Sequence, residues 1–298
     1  MESRHSPKAP TPSHDRSALH PTSGTQAKTN MPFRTLRLTI EYDGTAYHGW
    51  QRQEGVPTVQ GVVEQALKAV LGHDVQVEGS GRTDRGVHAW GLVASLHTTA
   101  RIPVARLPLA CNTKLPPDVA VRHAEEVEEA FHPRFDAVSK VYRYTLAHAP
   151  TRSPRLARIA HHDPRPLDVA SMHAAAQLLV GTHDFYSFAT FAKLKESTVR
   201  TIFWFDVRRR SATQPEVVEL TVCGDGFLYN QVRTMAGTLH EVGLGSRTLG
   251  QVQALLATRD RRRAGMNLPP QGLCLLGVQY RPETPTTALA TYLDGSQE

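Results

Sequence analysis

An aspartate set between two arginines on a glycine-rich loop is the densest chemical signal in the chain. The run reads Gly79-Ser80-Gly81-Arg82-Thr83-Asp84-Arg85-Gly86-Val87-His88-Ala89. Glycines let the backbone turn sharply and let a bulky ligand come close. Neighbouring guanidinium groups favour the ionised form of a carboxylate, so Asp84 is expected to be an anion at neutral pH, ready to attack or to take a proton. The same pattern also fits an aspartate that caps a hairpin turn between solvated arginines.

The sequence around the loop predicts what carries it. From Thr35 to Tyr42 polar and apolar residues alternate, with Leu36, Leu38, Ile40 and Tyr42 on one face, the pattern of a half-buried strand. Val59, Val62, Val63, Ala66, Leu67 and Val70 recur at helical spacing between the entry signal Pro57-Thr58 and the stop Gly72. Strands at 75–78, 87–98 and 119–127 and a short helix near 104–111 complete the first half. The second half repeats the order, with a strand at 138–146, a helix at 167–180 closed by Gly181, and strands near 201–209 and 217–223. A helix at 228–242, a short helix at 249–257 and a strand at 273–280 follow.

Twice the chain reads β-α-β-β-α-β, which predicts an α+β fold of two ferredoxin-like halves. They are expected to share a mixed, mainly antiparallel central sheet, with helices on one side and a basic cleft between the halves. Residues 33–137 form the half that carries the aspartate loop, and 138–281 the other. Residues 1–32, rich in Pro, Ser, Thr and His and without hydrophobic periodicity, predict a disordered arm, and 282–298 a loose tail. Met31, just before the first strand pattern, is a second candidate start of translation.

A formal charge of +6 favours a polyanionic partner. Basic residues gather at Lys193 and Lys195, at Arg208 to Arg210, and at Arg259 with Arg261 to Arg263. No stretch approaches the roughly 20 apolar residues of a membrane span. Cys111, Cys223 and Cys274 are odd in number and far apart, so neither a disulfide framework nor a zinc cluster is expected, and a reducing cytosol is the natural compartment. His161-His162-Asp163 lacks recognised ligand spacing for a metal and reads as loop.

The aspartate segment closely resembles the catalytic loop of the tRNA pseudouridine synthase A family. Further similar segments follow in order, among them Glu41-Tyr42-Asp43-Gly44-Thr45, Gly49-Trp50-Gln51-Arg52-Gln53, Phe131-His132-Pro133-Arg134-Phe135-Asp136-Ala137 and Tyr142-Arg143-Tyr144. Gly226-Phe227-Leu228-Tyr229-Asn230, Val232-Arg233, Ala236-Gly237-Thr238-Leu239 and Arg263-Ala264-Gly265 continue the likeness, which spans roughly residues 35 to 280. Departures include Gln231, where the family commonly has methionine, and Met266-Asn267, where it usually has proline-threonine.

The resemblance implies a cofactor-free, metal-free reaction in which the bond from ribose C1′ to uracil N1 breaks, the base rotates and C5 is joined instead. It makes Asp84 the carboxylate that attacks C1′ or removes the ribose 2′ proton, Tyr142 the residue stacked on the uracil, and Arg233 the basic partner of Asp84. Arg82 corresponds to the residue that fills the space left by the extruded base, and Arg52, Lys193, Lys195 and Arg263 are candidate tRNA contacts. The implied substrate is the anticodon stem-loop of transfer RNA at positions 38 to 40, and the implied assembly a cytoplasmic homodimer. A catalytically silent RNA-binding or RNA-folding module on the same scaffold is the alternative.

Overall fold

The computed structural model describes residues 33–190, 197–211 and 216–280. The expected arm at 1–32, the tail at 282–298 and both Lys193 and Lys195 lie outside the described residues. The strands are β1 (Arg34–Tyr42), β2 (Glu78–Gly79), β3 (His88–Thr98), β4 (Val119–Val127), β5 (Ser139–His148), β6 (His161–Asp163), β7 (Gly181–Asp184), β8 (Val199–Ser211), β9 (Glu216–Gly224) and β10 (Leu273–Gln279). The helices are α1 (Val59–Leu71), α2 (Leu107–Asn112), α3 (Val169–Gln177), α4 (Gln231–Gly243) and α5 (Leu249–Ala257).

Among the described residues one ten-stranded sheet runs β4-β1-β3-β10-β5-β9-β8-β7, with β2 added to β3 and β6 to β5. All neighbours are antiparallel except β3 with β10 and β5 with β6. Each half therefore shows the strand order of a ferredoxin-like unit, and β10 joins them. It pairs with the first residues of β3 through Cys274 and Leu275 opposite His88 and Ala89, and with β5 through Leu273 opposite Tyr144 and Leu275 opposite Tyr142.

The helices explain why both cores lie on one face. Leu36, Leu38 and Ile40 of β1 meet Val59, Val63 and Leu67 of α1, all with no solvent exposure. Tyr144 and Leu146 of β5 meet Met172 and Ala176 of α3 and Met235 and Leu239 of α4. Leu275 belongs to the first cluster and Leu273 to the second, yet both point the same way on β10 because side chains alternate with period two. Tyr142 packs against both clusters. Full burial of each such Leu, Ile or Met contributes about 1.5–3 kcal/mol. Thr58 caps α1 by accepting from the Gly61 amide at 3.4 Å, and Gly72 (φ 79°) closes it.

Three expectations are corrected. The strand at 75–78 is reduced to Glu78–Gly79, because the backbone of Val77 is taken by α1 side chains instead of β3: its amide donates to Glu64 at 3.0 Å and its carbonyl accepts from Gln60 at 3.0 Å. The helix at 167–180 spans only Val169–Gln177, and Gly181 opens β7 rather than merely stopping the helix. The polar run His161-His162-Asp163 forms β6, whose backbone finds partners in the part of the β5 edge that β10 leaves free. No hydrophobic period marks so short a strand.

The β3–β10 junction is tight. A Cβ placed on Gly91 would lie 2.8 Å from the Leu276 carbonyl oxygen, whereas one on Gly250 in α5 meets open space. Gly91→Ala is expected to lower stability by about 1–3 kcal/mol through forced backbone movement. Gly250→Ala is expected to raise it by about 0.5–1 kcal/mol. Equilibrium urea unfolding of the two variants measures both, and a neutral Gly91→Ala would deny that the halves are joined by close backbone contact.

Candidate active site

The aspartate loop is fixed from below before it presents any side chain. The Thr83 hydroxyl pairs with the Tyr42 phenol at 2.8 Å in a buried position, and the Thr83 carbonyl accepts from the Trp50 amide at 3.1 Å. Gly49, with φ 90°, lies so close to Thr83 that a side chain there has no room. Past the aspartate, the Val87 amide donates to the Asp84 carbonyl at 3.1 Å and the Gly86 amide to the Tyr47 carbonyl at 3.3 Å. Gly86 takes φ 79°, a left-handed conformation that suits glycine. Upstream, the Lys140 ammonium donates to the Ser80 carbonyl at 2.6 Å, and its burial lowers its pKa to about 8.

A second strap brings the other half to this loop. Gly265 donates its amide to the Thr238 hydroxyl of α4 at 3.0 Å, and Gly237 leaves room for the Met266 backbone. The chain then runs along Arg233, whose Nε donates to the Leu268 carbonyl at 2.6 Å. The Pro269 carbonyl accepts from the Tyr144 phenol at 2.8 Å, Pro270 packs beside Gly86, and Gly272 lies against the Tyr144 ring. One segment thus touches α4, β5 and the aspartate loop.

The result places Arg233 Nη1 3.5 Å from Asp84 Oδ2, with the arginine side chain 12% and the aspartate side chain 31% exposed. Burial raises the Asp84 carboxyl above the usual aspartate range, and the charge and hydrogen bonding of Arg233 offset that only in part. This corrects the expectation of a pKa held low by arginines. Arg82 and Arg85 are exposed, and the group acting on Asp84 is Arg233. Tyr142 is partly buried, packs edge-on to Phe227 with ring centroids 5.3 Å apart, and has its phenol pushed up first by burial and then by the Asp84 charge. It stays a neutral hydroxyl. Asp84, Tyr142 and Arg233 are therefore brought together from the loop before β3, from β5 and from α4.

The remaining candidates are dispersed. Arg52 donates to Glu64 at 2.9 Å and serves the buried carboxylate of α1, which also accepts from the Val77 amide. Arg263 is exposed and lines a recess of about 480 Å³ with Arg247, Thr248 and Gln251 at the start of α5. Sequence reasoning missed Lys140, Tyr144 and Asn230. Lys140 carried a signal, since it is a cation on the apolar face shared by Tyr142, Tyr144 and Leu146. Among the described residues no group of three or more His, Cys, Asp or Glu side chains is arranged to hold a metal ion, and no helix is long and apolar enough to cross a membrane.

A partly buried carboxylate, a guanidinium and a neutral phenol converge here on a sheet built from two ferredoxin-like units. A family profile described as tRNA pseudouridine synthase matches residues 38–136 and 175–281. The tRNA pseudouridine synthase A of a Thermoanaerobacter species is 40% identical over 83% of this chain and all of that protein. That of Syntrophotalea carbinolica is 45% identical over 83% of this chain and 97% of its own, and that of Citrifermentans bemidjiense 45% over 83% and 98%. The chain belongs to the tRNA pseudouridine synthase family, enzymes that isomerise uridine to pseudouridine in tRNA.

Because burial raises the Asp84 carboxyl above its unfolded-state value, its ionised form costs stability at neutral pH. The group's favourable contribution is complete only below the unfolded pKa and is lost as pH rises through the folded one. Asp84→Asn is accordingly expected to unfold at the same or a higher temperature than the parent at pH 7, with the difference closing on acidification. Calorimetry at pH 7 and in acid measures this, and a variant less stable than the parent at pH 7 would contradict it.

Proposed function

We propose that Asp84 is the catalytic carboxylate of this synthase and that its substrate is a uridine of the tRNA anticodon stem-loop, at positions 38 to 40. The observation that carries the reading is the convergence of Asp84, Arg233 and Tyr142 from three elements on one site. Ionised Asp84 attacks the ribose C1′ or removes the 2′ proton, and either route cleaves the bond to N1. Arg233 neutralises the carboxylate before reaction and fixes its direction. Tyr142 offers a ring face to the freed uracil, and after reattachment its phenol oxygen relays the C5 proton, accepting it as the phenol gives up its own, so that the net transfer is from C5 to uracil N1.

The base must leave its stack, which costs a few kcal/mol. Arg82, exposed two residues before Asp84, is suited to enter the vacated space, where a planar guanidinium stacks and hydrogen-bonds. Arg52, Arg263, Lys193 and Lys195 are assigned phosphate contacts, and a basic cleft between the halves 33–137 and 138–281 holds the tRNA. The enzyme works in the cytoplasm as a homodimer whose two clefts grip one tRNA, and light scattering at micromolar concentration tests the dimer.

Incubation with unmodified tRNA transcript, followed by carbodiimide mapping, tests the chemistry. Pseudouridine is expected in the anticodon stem-loop with the parent, and a rate lower by about 10³-fold or more with Asp84→Asn. Activity should fall on acidification with a midpoint above the usual aspartate range, since the working form is ionised. Binding without product would instead favour an RNA-binding module, and pseudouridine confined to another arm would move the substrate site.

A further inference from the structure

We propose that Asn230 is a positioning residue for the Arg233–Asp84 pair, holding the guanidinium at the aspartate with a side chain diverted from capping α4. The inference rests on the reading of Asp84 as the reactive carboxylate. Asn230 has φ 63° and is the one non-glycine residue with positive φ among those described. Such backbone is uncommon outside glycine, is best tolerated by asparagine and aspartate, and gathers at functional sites.

An asparagine ahead of a helix ordinarily accepts a hydrogen bond from a first-turn amide. Asn230 makes no such bond. Its Oδ1 accepts from Arg233 Nη1 at 3.1 Å, and its Nδ2 donates to the Thr190 hydroxyl at 3.2 Å. The direction of the amide follows from its partners, since a guanidinium only donates and must face the oxygen. The neighbouring Gln231 takes over the local closure, its Oε1 accepting from the Leu228 amide at 2.8 Å.

The same Nη1 lies 3.5 Å from Asp84, while Nε is held by the Leu268 carbonyl. Arg233 is therefore gripped by two neutral acceptors, one on each side, and its charge remains for Asp84. Around the carboxylate stand Arg82 and Arg85 of its own loop, Arg233 of α4 and the Tyr142 phenol of β5, with Tyr144 beside Arg233. Of these, Arg233 is the group that holds the carboxyl down against burial. A guanidinium freed from Asn230 would hold it down less.

Asn230→Gly tests this, because glycine accepts the left-handed backbone and removes only the side chain. The expected variant unfolds no earlier than the parent and binds tRNA equally well. Its single-turnover rate should be about tenfold lower, the usual scale for losing a hydrogen bond to a charged group. The acid limb of its pH–rate profile should move to higher pH, since Asp84 must be ionised. Asn230→Asp keeps an oxygen for Arg233 and tolerates the same backbone but adds a charge that competes with Asp84, so its acid limb should move to still higher pH than that of the glycine variant. A glycine variant with the parent's rate and acid limb would overturn the proposal, as would a loss explained wholly by weaker tRNA binding. Asp84→Asn run alongside separates the two levels. If it is as active as the parent, the carboxylate reading fails. If it is inactive while Asn230→Gly is unimpaired, only the positioning role fails.

Discussion

Taking a carboxylate partly out of water disfavours its charge, and the site depends on how that cost is met at Asp84. Burial wins over Arg233, so the carboxyl sits above its usual range while remaining within reach of a guanidinium at 3.5 Å. The partners of Arg233 matter as much as the pair. Its Nε and Nη1 are held by the Leu268 carbonyl and the Asn230 amide oxygen, both neutral. A second carboxylate there would have consumed the charge. Neutral dipoles fix the geometry and leave the electrostatic work for Asp84.

The fold supplies this arrangement by making two halves share an edge. β10 runs parallel to β3 and antiparallel to β5, which puts Ala89, Leu275, Tyr142 and Val222 in one row across four strands. With strands about 4.8 Å apart, Tyr142 stands only two strands from the strand that follows the aspartate loop. The segment 264–272 then closes the gap from above. Glycines at 237, 265 and 272 recur along it because α4, the strap and the Tyr144 ring pass too close for side chains. Val87, five residues after Arg82, packs into the core of the second half, so the loop is anchored in both.

Much of this was legible in residue order and period. The alternation of β1, the 3–4 spacing of α1 and the doubled element order gave the two halves, because those patterns are imposed by burial on one face. Tyr142 and Arg233 came from motif resemblance, since periodicity sees only an apolar strand face and an arginine on an amphipathic helix. The junction was not legible. That β10 crosses into the first sheet, and that Gln60 and Glu64 of α1 claim the backbone of Val77 from β2, depend on partners distant in sequence, and no local pattern records them. Asn230 fell inside the expected helix at 228–242 with no role assigned, because its φ and the direction of its amide exist only once Thr190 and Arg233 are in place. The sign of the Asp84 shift was missed for a related reason: Arg82 and Arg85 are neighbours in sequence but point to solvent, and depth below the surface is not written in the motif.

Asp163 shows why an aspartate with a nearby arginine is not by itself a reactive group. Arg165, two residues along, folds back on Asp163 with contacts of 3.0 and 2.7 Å, and His240 of α4 lies 2.9 Å from the same carboxylate. Those hydrogen bonds, with Arg165 foremost, drive the carboxyl well below the usual range. Its oxygens are occupied, its charge is neutralised, and it ties β6 to α4. Arg82 stands at the same spacing from Asp84 on the other side, yet it is exposed at the surface, and among the described residues a single contact, from Arg233, leaves lone pairs of Asp84 unclaimed. A carboxylate saturated by fixed donors has nothing left to offer a ribose. One that is desolvated, singly paired among the described residues and backed by a neutral phenol keeps both its basicity and its open face, and that difference in satisfaction separates the structural aspartate from the one proposed to react.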